Sequence, residues 1–173
     1  MFVRDIRENS FVWNSDIYVS QDKADELRAH CVLAGDVLIT KMGLPPCIAA
    51  VYPNTMPSGV ITADVIRLRP RVDIATSFWL AAYINSPRFA ACVRKITGGV
   101  TRPKVTLADF REQPVLLPSV EEQQRIENMV RAMTCEIEEV EAESRKLLMV
   151  KSGLMTDLLT GRVRVSEGIV VTP

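Results

Sequence analysis

The C-terminal part of the chain carries about forty consecutive residues without a proline, and this run constrains the fold more than any other feature. It begins with Ser119-Val-Glu-Glu122, a capping box in which the Ser119 hydroxyl accepts from the backbone N–H three residues on. Gly161 supplies the left-handed residue with which helices commonly end. At ~1.5 Å per residue the predicted helix is roughly 60 Å long. A helix of that length needs a partner to pack against.

Apolar residues repeat every seven positions along this helix and predict a coiled-coil seam. One row takes the d positions, and a second row, four residues later, takes the a positions. The predicted helix-pairing residues are Ile126, Val130, Met133, Ile137, Val140, Leu147, Leu154 and Leu158. Ser144 and Lys151 are the polar members of the seam, and such residues set register or partner choice at a cost in stability. The alternative is a single helix that lies along its own domain.

The residues before this helix have a different character, since residues 1–118 hold 14 Lys and Arg against 11 Asp and Glu, whereas 119–173 hold 7 against 10. Short runs rich in Val, Ile and aromatic residues, bounded by Gly, Pro and Asn, predict strands here. The predicted strands are Phe2–Ile6, Asp36–Thr40, Ile48–Tyr52, Val60–Leu68 and Pro114–Pro118. The predicted helices are Ser20–His30, Thr76–Asn85 and Pro87–Lys95, with one turn at Thr106–Phe110. We therefore predict an α+β fold, with a mixed α/β domain over 1–118, the long helix over 119–161 and a tail over 162–173.

Positive charge is concentrated between Val65 and Ala108, where eight basic residues face only Asp73. The eight are Arg67, Arg69, Arg71, Arg88, Arg94, Lys95, Arg102 and Lys104. A local excess of this kind is what a polyanion-binding face requires, even in a chain of zero net charge. The alternative is a solvated surface that happens to be basic. Paired glycines and Pro103 predict that Thr97–Lys104 is an exposed loop within this segment.

Motifs for catalysis are missing from the sequence. It has no Gly-rich phosphate loop and no G-x-G-x-x-G, and its four scattered cysteines with a single histidine, His30, predict neither a zinc site nor a disulfide framework. Leu44-Pro-Pro-Cys47 superficially resembles the motif with which amino-methyltransferases hold a flipped base. It lacks that motif's polar and aromatic residues, and we interpret it as a turn. We therefore expect no catalytic residue and no metal site in this chain.

The sequence also lacks targeting and membrane signals. No apolar run approaches the ~18–20 residues that span a bilayer. The first ten residues, MFVRDIRENS, place charges where a signal peptide needs an apolar stretch. We therefore expect a cytoplasmic protein without a membrane partner.

Seven short sequence segments, distributed over about residues 2–165, follow one another in an order that is informative. They are Phe2–Ile6, Tyr18–Ala24, Gly35–Gly43, Tyr83–Pro87, Gly98–Leu107, Pro114–Ile126 and Lys151–Arg164. Two of them contain the sequence pieces L-P-x-x-E-E-Q and L-L-T-G-R-V. Together the segments resemble the specificity subunit of type I restriction–modification enzymes.

The resemblance implies that residues 1–118 form a target recognition domain that reads double-stranded DNA. It implies that residues 119–161 form the conserved spacer and dimerisation helix. In this family, methyltransferase subunits dock on the specificity subunit and modify adenine with S-adenosylmethionine, and a separate ATP-driven restriction and translocase subunit cleaves DNA. S-adenosylmethionine, ATP and Mg²⁺ are therefore expected on partner subunits, and no cofactor is expected in this chain.

The chain departs from the family pattern, because it carries one recognition unit and one helix where full-length members carry two of each. The resemblance thus implies a half-subunit, a truncated gene product or an expressed fragment. A homodimer through the helix would read a bipartite inverted-repeat site. The alternative is a protein–protein adaptor that docks through its helix without reading DNA.

The predicted DNA-binding residues lie in two loops and at one helix end. They are Lys41 in the Thr40–Gly43 loop, with Lys95, Thr97, Thr101, Arg102 and Lys104. Lysine and arginine at such positions neutralise phosphates, and arginine also bonds bidentately to guanine.

Overall fold

A computed structural model of the chain describes residues 1–13, 17–98 and 103–165. Over these ranges small antiparallel sheets and short helices come first, and one long helix follows. The predicted α+β class, with a long C-terminal helix, is confirmed. The chain divides into two compact units, residues 1–127 and residues 128–173.

Seven short strands form three antiparallel sheets within the described part of the first unit. The strands are β1 (Ile6–Arg7), β2 (Ser10–Phe11), β3 (Cys31–Val32), β4 (Val37–Thr40), β5 (Ala49–Val51), β6 (Gly59–Val60) and β7 (Val65–Leu68). β1 pairs with β2, β3 pairs with β6, and the largest sheet has the order β5-β4-β7. All four residues of the central strand β4 are buried.

The described residues also form five α-helices and two short 3₁₀ turns, Val3–Asp5 and Arg28–His30. The helices are α1 (Gln21–Glu26), α2 (Ser77–Ile84), α3 (Pro87–Ile96), α4 (Leu107–Arg111) and α5 (Val120–Leu159). Each begins after a Ser or Thr whose hydroxyl accepts a backbone N–H three residues on. This hydrogen bond satisfies a donor that the first helical turn leaves unpaired.

Side chains on the two faces of β4 belong to two separate apolar cores. Val37 and Ile39 pack in the core that α2, α3 and α4 share with the sheet. Leu38 points to the other face and packs with Tyr52 in the second core. Successive residues of a strand alternate between faces. A strand with an apolar core on each side therefore has apolar residues at consecutive positions, as Val37, Leu38 and Ile39 do.

The long helix α5 agrees with the sequence prediction to within about two residues at each end. The Ser119 hydroxyl accepts from the N–H of Glu122, as the capping motif predicts. Gly161 has the predicted left-handed backbone, with φ +72°. Gly153 lies inside the helix without interrupting it. None of the helices in the described ranges is long and apolar enough to cross a bilayer.

Two predicted strands differ from the structure because their pairing partners differ. Val60–Leu68 is two strands, since Val60 pairs with Cys31 on β3 whereas Val65 pairs with Thr40 on β4. Phe2–Ile6 is mostly a 3₁₀ turn, which the Asp5 carboxylate stabilises by accepting from the Phe2 N–H at 2.8 Å.

Two other predicted elements were also wrong in whole or in part. Pro114–Pro118 forms no strand, and its Leu116 carbonyl accepts instead from the Trp79 indole at 3.0 Å. The helix predicted over Ser20–His30 ends at Glu26 and gives way to a 3₁₀ turn.

Candidate nucleic-acid interface

The loop after β4 and the loop before α4, which the sequence predicts to contact DNA, pair with each other through their backbones. Met42 and Lys104 form an antiparallel bridge, and so do Gly98 and Lys104. The Val105 N–H donates to the Lys41 carbonyl at 2.9 Å. The fold therefore brings the backbones of Lys41 and Lys104 together, although more than sixty residues separate them in the sequence.

The side chains of these two lysines both reach the segment between β6 and β7. Lys41 Nζ donates to the Ala63 carbonyl at 2.7 Å. Lys104 Nζ forms an ion pair with Asp64 Oδ1 at 2.9 Å, and both side chains of this pair are partly exposed. The aspartate offsets the charge of Lys104, whereas Lys41 is held by a neutral carbonyl and forms no ion pair with another described residue.

The other predicted residues lie at the C-terminal end of α3 or beyond the described ranges. Lys95 is exposed in the last turn of α3. Thr97 is half-buried, and its hydroxyl donates to the Val93 carbonyl at 2.6 Å. Thr101 and Arg102 lie outside the described residues. The structure thus brings Lys41 and Lys104 close together through the pairing of their loops, and it places Thr97 one residue before the Gly98 bridge.

Acidic side chains from elsewhere in the sequence reduce the charge of the basic segment. Its ion pairs within the described residues are Arg69 with Asp36, Arg71 with Asp73, and Lys104 with Asp64. Asp36 and Asp64 lie outside the Val65–Ala108 window, so the sequence count of eight against one overstates the local excess. Arg88, Arg94 and Lys95 are exposed and form no ion pair with another described residue.

Asp36 is the most buried of these carboxylates, with 2% of its surface exposed. Burial opposes its ionisation, but hydrogen bonds from Arg69 and from the Leu33 N–H outweigh that effect and lower the pKa of Asp36 below its usual value. Arg69 approaches with two nitrogens, at 2.6 and 2.7 Å. This arrangement fixes Arg69 as a structural residue.

The Leu44–Cys47 segment forms part of the connection between β4 and β5, which agrees with its interpretation as a turn. Its Leu44–Pro45 peptide is cis. The segment lines a cleft of about 520 Å³, together with Thr97 and Arg94. Burial raises the pKa of the Cys47 thiol to about 11. The thiol is therefore protonated at neutral pH and is no nucleophile.

A second cleft, of about 340 Å³, lies beside β7 and α4. It brings together four basic side chains, those of His30, Lys41, Arg67 and Arg111. Sequence reasoning missed His30 and Arg111. His30 lies far from the basic segment in the chain, and Arg111 lies just after it. No local motif connects them, since only the packing of α4 and the Arg28–His30 turn places them at one cleft.

The predicted helix-pairing residues lie on α5. Ile126 is half-buried within the first unit. The other seven belong to the second unit, and between 41% and 63% of each side chain is exposed. Ser144 and Lys151 are exposed as well. The seam is therefore open to solvent in the single chain.

No protein-family model matches the chain, and no curated protein matches it. Among the described residues, no group of three or more His, Cys, Asp or Glu is arranged to hold a metal ion.

Proposed function

We propose that this chain is the sequence-specific DNA-recognition and scaffolding subunit of a type I restriction–modification enzyme, in a form with one target recognition domain. The observation that supports this proposal best is the backbone pairing of Met42, in the Lys41–Gly43 loop, with Lys104, which also pairs with Gly98. These residues belong to two of the segments that resemble the family, and they include two of the lysines predicted to bind DNA.

In this proposal the paired loops face the duplex. Lys41, Lys95 and Lys104 neutralise phosphates, which fixes the position of the domain along the backbone. Arg102 bonds to a base edge in the major groove, where bidentate contact with guanine O6 and N7 discriminates between base pairs. Thr97 and Thr101 provide hydroxyls for further hydrogen bonds to the DNA. Lys104 leaves Asp64 and pairs with a phosphate when DNA binds, so its charge has a partner in the free protein and in the complex.

The exposed seam of α5 provides the scaffold. A second copy of the chain covers it, because burying a Val, Leu, Ile or Met side chain contributes roughly 1.5–3 kcal/mol relative to leaving it exposed. The resulting homodimer is a coiled coil with the two recognition domains related by a twofold axis. Such a dimer reads a bipartite site with inverted half-sites.

The partners in this account are double-stranded DNA, methyltransferase subunits and a restriction and translocase subunit. S-adenosylmethionine, ATP and Mg²⁺ belong to those subunits. This chain positions them on the DNA and carries out no chemistry of its own.

The experiment that tests this proposal is the salt dependence of binding to a duplex pool of randomised sequence. Lys95→Gln and Lys104→Gln should each flatten the slope of log Kobs against log[salt] by about 1, because each removes one phosphate contact. Lys146→Gln, at an outward position of α5, is the matched control and should leave the slope unchanged. Equal slopes in all four proteins would contradict the proposal.

The adaptor alternative is favoured by one observation, the Lys104–Asp64 ion pair. A lysine compensated within the fold needs no polyanion. An adaptor would still dimerise through α5, but its association with duplex DNA would be unchanged by Lys95→Gln and Lys104→Gln.

A further inference from the structure

The cleft of about 340 Å³ beside β7 and α4 collects positive charge without an acidic lining residue. Its cationic side chains are those of Lys41, Arg67 and Arg111, and His30 also lines the cleft. The rest of its lining is apolar apart from Thr62, and it includes Leu68, Leu107 and Phe110. A cleft whose charges have one sign and whose walls have a low dielectric constant focuses the electrostatic field on its occupant.

Neutral acceptors hold two of these cations in place. The Arg67 guanidinium donates to the backbone carbonyl of Cys31, and Lys41 Nζ donates to the carbonyl of Ala63. A carbonyl orients the side chain without neutralising it; neither cation forms an ion pair with another described residue, and Asp36 attracts the Arg67 guanidinium only at longer range. An arginine has five N–H donors and a lysine has three, so one hydrogen bond to a carbonyl leaves most of them available for another ligand.

Other cations of the described residues are paired with carboxylates, which makes the difference informative. Arg69 is paired with the buried Asp36 and serves structure, and Lys104 is paired with the partly exposed Asp64. Asp64 adjoins the cleft in sequence, but its carboxylate is engaged with Lys104 and is not part of the lining. Arg111 is exposed and forms no ion pair with another residue in the described ranges.

From this arrangement we propose that the cleft binds a phosphate group of the DNA backbone. Arginine and lysine side chains that form no ion pair with another described residue are available to bind phosphate oxygens through charge-assisted hydrogen bonds. The proposal rests on the proposed function and extends it. The DNA path continues from Lys41, which belongs to both surfaces, to Arg67 and Arg111 on the neighbouring cleft.

The test compares Arg111→Gln, Lys41→Gln and the double variant with wild type, in binding to a randomised duplex pool at several salt concentrations. Arg145→Gln, at an outward position of α5, is the matched control. Loss of one phosphate contact should flatten the salt slope by about 0.9 and weaken binding about eightfold at 0.1 M salt. The double variant should lose about twice that slope. Arg111→Lys, which keeps the charge, should restore most of the loss and exclude a folding defect.

Three results would overturn the assignment of this cleft. Unchanged slopes in Arg111→Gln and Lys41→Gln, with wild type still binding DNA, would overturn it without touching the proposed function. An equal loss in Arg145→Gln would show a general charge effect. Stabilisation of wild type, but not of Arg111→Gln, by inorganic phosphate against chloride at equal ionic strength would assign the cleft to free phosphate if the salt slope of DNA binding were the same in both proteins. Failure of wild type to bind any duplex is a different result, because it contradicts the proposed function itself.

Discussion

Two buried polar side chains, Asp36 and Gln123, hold distant parts of the first unit together. Asp36 accepts from Leu33 N and Arg69, and Gln123 accepts from Thr76 N and donates to the carbonyls of Ile74 and Pro118. Both residues are almost inaccessible to solvent. A buried polar group that loses its partner costs about 1–3 kcal/mol, so single substitutions here have large effects.

Gln123→Ala should lower the free energy of unfolding by at least about 2 kcal/mol, because it leaves two carbonyls and one N–H without their partner. Its amide joins the first turn of α5 to the start of α2. Gln124→Ala, at the exposed neighbouring position, is the matched control and should change stability by less than about 0.5 kcal/mol. Urea unfolding measures both, and equal stabilities of the two variants would contradict the role given to Gln123.

Asp36→Asn should lower the free energy of unfolding by about 1.5–3 kcal/mol at neutral pH, since it removes the charge from two hydrogen bonds with Arg69. The pKa of Asp36 is below its usual value of 3.8 in the folded chain. A carboxyl group whose pKa is lowered by folding adds to the free energy of unfolding. This contribution is fully present above the unfolded pKa of 3.8, and it is lost as the pH falls through the lower pKa of the folded chain.

The stability difference between wild type and Asp36→Asn should therefore be constant at neutral pH and shrink below about pH 3.8. Urea unfolding at a series of pH values measures it. Asp73→Asn, which removes an exposed carboxylate whose ion pair with Arg71 is screened by solvent, should show a much smaller difference at every pH. A difference for Asp36→Asn that grows on acidification would show that the carboxylate is not stabilised by Arg69.

The elements that the sequence predicts best are those with local causes. Helix α5 follows from a serine cap, a long run without proline and a terminal glycine, all of which act within a few residues. Strands depend on partners. Val60–Leu68 has one apolar pattern, but its first residue pairs with β3 and its last four residues pair with β4. No pattern within that segment reveals the exchange of partners.

The candidate site was predictable to a similar extent. Loop composition identified Lys41 and Lys104, which the fold brings together. Loop composition did not show that Asp64 offsets the charge of Lys104. Their ion pair depends on how the fold places Asp64, just before β7, beside the loop that precedes α4. Nor did loop composition find Arg111, whose place at a cleft with Arg67 follows from the position of α4.

The seam of α5 is the basis for the expected homodimer. Val140→Glu should raise the dimer dissociation constant on the order of 100-fold or more, because pairing would bury two carboxylates without partners. Met149→Glu is the matched control, since Met149 is also exposed but lies on the outer face of the heptad. Light scattering should give twice 19.3 kDa for wild type and the control, and a mass near 19.3 kDa for Val140→Glu. A monomeric wild type would contradict pairing through this seam.

The whole molecule, in this account, combines a small α+β recognition domain with a helix that provides symmetry. Under the proposed function, the domain of one copy makes the DNA contacts of one half-site. Pairing through α5 doubles them and fixes the distance between the half-sites. Because both copies are identical, the half-sites must be identical and inverted.

Selection of bound duplexes from a randomised pool, by the chain together with its methyltransferase subunit, tests the central claim most directly. The account predicts enrichment of one short sequence present twice, as an inverted repeat with a constant spacing. Val140→Glu should select poorly, since it presents only one half-site reader. Recovery of duplexes without any shared sequence, at a wild-type affinity that Lys95→Gln and Lys104→Gln do not change, would contradict a DNA-reading function and favour the adaptor.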